Sequence, residues 1–400
     1  MVSRPKSPSE TPGFFASCAR NVEDLLALEL EALGASGVRP ILAGVHFMGT
    51  VETAMAACLW SRIANRVFLP LARFPAPDPE ILYRGVRRIS WEKHLDAGGT
   101  FSVDANVSAS GITNSSYAAL KSKDALVDRF RDRTGSRPSV RTLKPDVRIN
   151  VHIHKDEATV SLDLSGDSLH LRGYRTEKGT APLREDLAAA ILMRAGWPQA
   201  AARGGSLVDP MCGSGTLPIE GALMAADIAP GLKRDYFGFL GWKGFKRGMW
   251  RALLVDARFR AEEGKKTLPE ITGCDRDERI LNIARQNLKR AGLEGLVRFE
   301  RRDIDASFRE ISPGEKGLVV VNPPYGRRLG SGEDLKPLYR ALGTALKAGY
   351  PGWDAAVLAG EPELGKEMGL KAHKKHVLYN GPIRCELLHF HIRGDSGSEP

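Results

Sequence analysis

Cysteine is scarce in this chain of 400 residues, and nowhere is it paired. Cys18, Cys58, Cys212, Cys274 and Cys385 are scattered, odd in number, and without a C-x-x-C spacing. That pattern speaks against a disulfide framework or a thiolate zinc site and fits a reducing compartment. The histidines show no ligand spacing either, so no metal is expected. No apolar run approaches membrane-spanning length. The start, Met1 to Gly13, is polar and proline-rich, with no apolar core of a signal peptide. A cytoplasmic location without a membrane partner is expected. Two nucleotide signatures are also missing. No G-x-x-x-x-G-K-[ST] is present to cradle a phosphate, and the glycine loop that is present does not continue as G-x-G-x-x-G. No internal repeat or low-complexity tract is evident.

What is present describes a globular protein of two or three domains, 42% hydrophobic and 26% charged. A net charge of +10 and a pI near 9.4 favour a polyanionic partner, nucleic acid foremost. Oligomeric state is not readable from the residues.

Residues 1–12 read as a disordered lead-in. Phe14 to Cys18 then reads as a short strand, and Glu23 to Leu33 as a helix closed by Gly34. Val45 to Phe47 and Gly49 to Val51 read as strands, and Thr53 to Leu59 as a helix. A small α+β module over residues 13–59 fits this order. A second α+β unit is expected over residues 60–166. Its strands are Arg66 to Leu71, Phe101 to Val107, Val147 to Ile153 and Ala158 to Leu164, the last two joined by a turn at His154 to Glu157. Its helix, Ala118 to Thr134, carries a basic face with Lys121, Lys123, Arg129, Arg131 and Arg133, extended by Arg137, Arg141, Lys144 and Arg148. One reading is a phosphate-contacting surface; the other is a solvated helix face with ion pairs to Asp124, Asp128 and Asp132. Residues 167–180 form a polar, glycine-punctuated linker. Within or beside it, Arg172 and Arg175 around Tyr174 can touch nucleic acid or serve a hinge.

From residue 181 to 394 strands and helices alternate. The strands expected are Ser206 to Asp209, Glu270 to Cys274, Val297 to Glu300, Leu318 to Val321, Trp353 to Leu358, Lys375 to Tyr379 and Arg384 to Ile392. Seven strands ending in an antiparallel hairpin imply a doubly wound α/β sheet.

The chemistry sits at the expected carboxyl ends of those strands, where open α/β sheets bind ligands. Val319-Val320-Val321 runs into Asn322-Pro323-Pro324-Tyr325-Gly326. An Asn322 side-chain oxygen and a neighbouring carbonyl can both accept hydrogen bonds from one exocyclic amine, and the Tyr325 ring can stack on the heterocycle carrying it. The alternative is a plain strand-end turn. The first strand runs into Asp209-Pro210-Met211-Cys212-Gly213-Ser214-Gly215-Thr216, whose glycines allow close approach to backbone at a helix N-terminus. A cofactor with an amino-acid-like tail and an adenosine suits this loop. Asp275 is placed to take ribose hydroxyls, and Asp303 to accept from an adenine amine; Arg276 and Ile304 are counted with them. Each acid alone is commonly a cap or turn residue, but the set after successive strands is specific.

These residues resemble the class I S-adenosylmethionine-dependent methyltransferases that modify exocyclic amines. Trp60 to Val67, Lys121 to Ala125, and Asp163 to Gly166 through Arg172-Gly173-Tyr174-Arg175 resemble the THUMP-domain RNA methyltransferases, and most closely the RlmL-like 23S rRNA (guanine-N2)-methyltransferases. The likeness spans about Phe14 to Ile392. It implies a Rossmann-like, seven-stranded catalytic domain preceded by an N-terminal ferredoxin-like module and a THUMP domain that docks RNA. It also implies S-adenosyl-L-methionine as cofactor, with methylation of a guanine N2 in 23S rRNA. In some bacteria such a unit is fused to a second methyltransferase domain; this chain carries one, so a second modification is not expected of it. The alternatives are a tRNA guanine-N2 methyltransferase, a DNA adenine-N6 enzyme, or a non-catalytic RNA-binding assembly factor. The insert Gly231 to Arg251 interleaves Lys and Arg with Tyr236, Phe237, Phe239, Trp242, Phe245 and Trp250. It is read as a subdomain packing its rings against the sheet, with unpaired RNA as the other reading.

Overall fold

The computed structural model describes residues 12–175, 183–304, 316–325 and 334–393. Residues 1–11 of the expected lead-in, 176–180 of the linker, and Gly326 lie outside them. The chain divides into two compact units: residues 1–18, 26–169 and 234–253, and residues 19–25, 170–233 and 254–400.

The first unit is built on one eight-stranded sheet. Its strands are β1 (Gly13–Ser17), β2 (Ser36–Ile41), β3 (Gly44–Met48), β4 (Arg66–Pro75), β5 (Thr100–Ser108), β6 (Ser139–Val140), β7 (Val147–His154) and β8 (Glu157–Asp163), in the order β2-β3-β1-β4-β8-β7-β5-β6. The two modules expected from the sequence therefore share a sheet: β1 pairs antiparallel with β4, Phe15 opposite Phe68. Strict alternation on β7 buries Val147, Ile149, Val151 and Ile153 on one face. The β7–β8 turn has positive φ at both Lys155 and Asp156, the geometry of a two-residue hairpin. Gly49 to Val51 is not a strand. Thr50 instead caps the helix Val51–Trp60, accepting from the Thr53 N–H at 3.2 Å in a capping box. A helix unassigned in the sequence, Pro79–Arg88, starts where Asp78 accepts from the N–H groups of Glu80 and Ile81.

Residues 234–253 belong to this first unit, although the residues that precede and follow them in sequence belong to the second. Tyr236, Phe237, Phe239, Trp242 and Trp250 are buried there. Phe237 and Phe239 stack at 5.2 Å, with Trp250 edge-on to both. The Trp242 Nε1–H donates to His94 Nδ1 at 3.0 Å and the Tyr236 hydroxyl to the Pro145 carbonyl at 2.8 Å. These rings are core, so stacking on RNA bases is not their role.

The second unit carries β9 (Ser206–Asp209), β10 (Ile271–Asp275), β11 (Arg298–Arg301), β12 (Gly317–Val321), β13 (Asp354–Ala359), β14 (Lys374–Asn380) and β15 (Ile383–His391), ordered β11-β10-β9-β12-β13-β15-β14. β11, β10, β9, β12 and β13 are mutually parallel, and β15 turns antiparallel between β13 and β14. The chain steps outward from β9 through β10 to β11, then returns to place β12 on the other side of β9. The strand order thus reverses between β9 and β12, the position where such sheets open a ligand crevice. β12 is buried on both faces, which is why Leu318 to Val321 reads as an unbroken apolar run. Among the described residues no helix is long and apolar enough to cross a membrane.

Candidate active site

Parallel register brings four strand ends side by side. Gly273 lies opposite Asp209, Asp275 opposite Arg301, and Val319 opposite Val208. Asp209, Asp275, Asp303 and Asn322 therefore follow adjacent strands at one edge of the sheet.

The glycine loop is shaped from beneath. Gly213 and Gly215 both have positive φ, +53° and +83°. A Cβ at Gly215 would lie 2.8 Å from the Phe299 ring, and one at Gly273 would lie 2.7 Å from the same ring. Gly215 is thus required by packing. At Gly213 nothing lies nearer than the Ile280 Cδ1 at 3.8 Å, so close approach of a ligand to backbone is possible there. Asp275 holds the loop: one carboxylate oxygen accepts from the Gly213 N–H at 3.0 Å, the other from the Asp277 N–H at 3.0 Å. Asp303 accepts from the Ile304 N–H at 2.7 Å. Arg276 and Asp303 line an open depression of about 630 Å³ next to Asp277 and Arg301.

Asp209 is buried and accepts from the Met211 N–H at 3.1 Å. Burial pushes its pKa well above the usual carboxylate value, with the Asp275 charge adding to the rise against that hydrogen bond. Burial also raises the Cys212 thiol, and raises Cys274 to about 12, which disfavours the thiolate at both.

Asn322 carries the least satisfied polar atom of the site: its side-chain oxygen is buried and has no hydrogen-bond partner among the described residues. A buried acceptor without a partner costs stability, so this oxygen is well placed to accept a hydrogen bond from a ligand. Beyond it the turn is fixed. The Tyr339 hydroxyl donates to the Pro324 carbonyl at 3.4 Å. The Asn380 amide donates to the Tyr325 hydroxyl at 2.7 Å, and a Cβ at Gly360 would overlap the Tyr325 ring. Tyr325 is therefore pinned and largely buried, not a freely exposed platform.

Two arginines expected at an RNA surface lie inside the second unit. Arg172 is 2% exposed, with its Nε 3.8 Å from Glu220, to which the Tyr174 hydroxyl also donates at 3.0 Å. Arg175 donates to the Thr216 hydroxyl and to the Leu183 carbonyl, with Glu185 at 3.8 Å. The Tyr174 carbonyl accepts from Arg290, which donates to Asn287, whose amide donates to the Ser214 carbonyl at 3.0 Å. Residues 172–175 thus brace the loop Cys212 to Thr216.

In the first unit Arg129 is likewise structural, a fork on Glu92 at 2.7 and 2.9 Å with a further bond to the Arg87 carbonyl. The pair holds Glu92 down to about 2, chiefly through the Arg129 hydrogen bond. Lys121 is paired with Glu80 and lies over the Tyr83 ring, and Lys123 pairs with Asp124. Arg137 is exposed and, with Lys121, Lys123 and Arg131, lines a shallow pocket of about 440 Å³. The basic helix is a surface laced with ion pairs.

The comparisons with known proteins agree with this architecture. The model described as "RMKL-like, methyltransferase domain" matches residues 172–389, more than half of the chain. A THUMP domain matches residues 76–163 and an RlmL ferredoxin-like domain residues 13–68. The chain is 54% identical over 382 residues to the ribosomal RNA large subunit methyltransferase K/L of Methylococcus capsulatus, covering 96% of this chain and 51% of that protein. It is 53% identical over 380 residues to the protein of that name from Syntrophotalea carbinolica, covering 95% and 53%. The chain spans about half the length of these curated relatives. Among solved structures, SMU.472 complexed with SAH is 31% identical, with a TM-score of 0.84 over 96% of this chain and 98% of that one. A protein from Listeria monocytogenes described as a predicted N6-adenine-specific DNA methylase is 30% identical, with a TM-score of 0.83 over 95% and 96%. The chain belongs to the RMKL-like methyltransferase family.

Proposed function

We propose that this protein transfers a methyl group from S-adenosyl-L-methionine to the exocyclic N2 amine of a guanine in RNA, with 23S rRNA as the substrate. One observation carries the reading: the open, buried side-chain oxygen of Asn322 at the end of β12, beside the crevice where the strand order reverses.

The residues fit the cofactor. Gly213 leaves its backbone open to a ligand, Asp275 is held at the end of β10 to take ribose hydroxyls, and Asp303, followed in sequence by Ile304, lines the depression that would take the adenine. Asp209, Met211, Cys212, Ser214, Gly215, Thr216 and Arg276 complete that wall. When bound, the cofactor supplies a methyl group on an electrophilic sulfonium. The chain's own task is to hold the acceptor. A guanine amine is a weak nucleophile because its lone pair is delocalised into the ring. Hydrogen bonds from that amine to the Asn322 oxygen and the Pro323 carbonyl favour a localised pair and fix its direction. Pro323 and Pro324 make the turn rigid, and the pinned Tyr325 ring is the wall against which an extruded base is seated. Positioning supplies the rate; the proton released from the amine leaves to water. The large-subunit rRNA named for the curated relatives supports the substrate.

Tritiated methyl transfer to 23S rRNA and to tRNA from a deletion strain, followed by nucleoside digestion, tests this directly. N2-methylguanosine from rRNA is expected; N6-methyladenosine, or label confined to tRNA, refutes the substrate. At saturating cofactor, Asn322→Ala is expected to lose on the order of 10²–10³ in rate, the loss known for removing one group that holds charge at a reacting centre. It should fold normally, since the deleted oxygen has no partner among the described residues, and thermal unfolding checks this. Near-wild-type transfer by this variant removes the role of Asn322.

A further inference from the structure

The two faces of the eight-stranded sheet in the first unit are buried to different extents. On one face Phe14, Phe47 and Val67 are at most 1% exposed, whereas their neighbours Phe15, His46 and Phe68 on the opposite face are only partly buried. Those three lie abreast on adjacent strands, His46 opposite Phe15 and Phe15 opposite Phe68. The Phe15 and Phe68 rings are stacked, 6.2 Å apart and 13° from parallel, with the His46 ring 5.0 Å from Phe15. The face continues as polar rows set by register. Asn150 stands opposite Ser161 and beside Asp104, and His152 opposite Thr159 and beside Asn106. A cleft of about 960 Å³ runs over these rows.

Three rings flanked by amides, hydroxyls and imidazoles are an unusual lining for a solvated sheet face, whose strands ordinarily carry simple polar residues there. Cations on this face outnumber carboxylates by four (Arg66, Arg73, Arg148, Lys155) to three (Asp104, Glu157, Asp163). The carboxylates on this face are answered by arginines: Asp163 by Arg66, Glu157 by Arg73 at 2.8 Å, and Asp104 by Arg148 at 3.4 Å. Arg73 remains 71% exposed, and Lys155 stands at the rim.

We propose that this open sheet face is a platform for unpaired RNA, with about two or three bases stacked on the Phe15, His46 and Phe68 rings and phosphates at Arg73 and Lys155. The choice of RNA rests on the methyltransferase reading above; the single-stranded, base-stacking mode comes from the face itself. Bases within a duplex present no free ring face to such a row, so a helix is not its ligand. The amides of Asn106 and Asn150 are placed on the neighbouring strands to meet base edges.

Fluorescence anisotropy of a labelled oligouridylate with the full chain, without cofactor, tests this. The double variant Phe15→Leu/Phe68→Leu keeps apolar bulk and removes both rings. It is expected to lose at least about tenfold in affinity while its salt dependence stays that of the native protein, because stacking is lost and phosphate contacts are not. Unchanged affinity overturns the proposal. So does native protein that binds a blunt RNA duplex as tightly as the oligouridylate. Thermal unfolding checks that the double variant folds. If it does not, Asn106→Ala/His152→Ala, both on exposed positions of the face, must weaken the oligouridylate several-fold or the proposal falls. Asn322→Ala is expected to bind the oligouridylate normally, so failure of the platform and failure of the transfer site give different results.

Discussion

The glycine loop offers a paired perturbation whose two members should fail in different ways. Gly215→Ala places a methyl 2.8 Å from the Phe299 ring and 3.1 Å from the Ala284 Cβ, at φ +83°. A left-handed alanine costs about 1–2 kcal/mol, and the overpacking about 1–3 kcal/mol more. A total of about 2–5 kcal/mol should lower the melting temperature of this unit by about 4 °C or more. Gly213→Ala meets nothing within 3.8 Å and carries only the backbone cost at φ +53°, about 1–2 kcal/mol. Its methyl instead enters the space left open for a ligand. Calorimetric titration with S-adenosylmethionine should show at least about a tenfold loss of affinity, equivalent to about 1.4 kcal/mol, with a smaller fall in melting temperature than for Gly215→Ala. Phe299→Leu in the Gly215→Ala background should recover part of the lost stability, since the two side chains share one space. If Gly213→Ala binds cofactor like the native protein, the cofactor does not approach there. If the two alanine variants are equally stable, the packing account of Gly215 is wrong.

Tyr174→Phe removes the donor to Glu220, a buried hydrogen bond to a carboxylate of about 1.5–3 kcal/mol. The melting temperature should fall by several degrees with RNA affinity unchanged; a matching loss of RNA affinity would return residues 172–175 to the RNA surface. Arg129→Met releases Glu92, whose pKa in the folded protein is depressed from 4.5 to about 2. A depressed acid stabilises the fold above its unfolded pKa and loses that stabilisation as pH falls through the folded value. The part of the stability difference due to this pair, about 1 kcal/mol for a partly exposed pair, should therefore be constant above pH 5 and disappear between about pH 4.5 and 2, leaving only the pH-independent loss of the bond to the Arg87 carbonyl. A difference that does not shrink between pH 4.5 and 2 in acid unfolding refutes the pairing.

Much of the catalytic fold is legible in the residues because each of its strands is short, buried and punctuated. Val319 to Val321 stops at two prolines, Ser206 to Asp209 at a glycine loop, and the hairpin at Gly381. Period and turn chemistry are local properties, and the observed ends fall within a residue or two of those read from them. The joining of β1 to β4 is not legible, since pairing across the space between two modules leaves no local trace. Thr50 shows the opposite failure. Gly49 to Val51 has strand-like residues, but the threonine pair at positions 50 and 53 forms a capping box that claims the segment for a helix. The insert at residues 234–253 leaves two readings open for a third reason. Its mix of cations and rings is shared by RNA-binding loops and by small aromatic cores, and only burial separates them.

The same ambiguity governed the arginines at 172 and 175, and there the sequence held a clue of a different kind. The helix Thr216–Ala225 is apolar nearly throughout, TLPIEGALMA, with one carboxylate inside it. A charge on so apolar a helix is either displayed to solvent or buried with a partner, because an isolated buried carboxylate costs several kcal/mol. Glu220 is buried completely. A cation had to be supplied from elsewhere, and the segment Arg172-Gly173-Tyr174-Arg175 supplies it together with a hydroxyl donor. The consequence reaches the cofactor loop. Arg175 fixes Thr216 at the first turn of that helix, and the Tyr174 carbonyl anchors Arg290 and, through Asn287, the Ser214 backbone. The residues that follow the THUMP match in sequence therefore set the loop's geometry, and replacing Glu220 alone should disturb cofactor binding as well as stability. Glu220→Gln keeps the acceptor for Tyr174 but removes the charge that answers Arg172. A variant that lost stability and yet bound S-adenosylmethionine with native affinity would show that the brace holds the helix without shaping the loop.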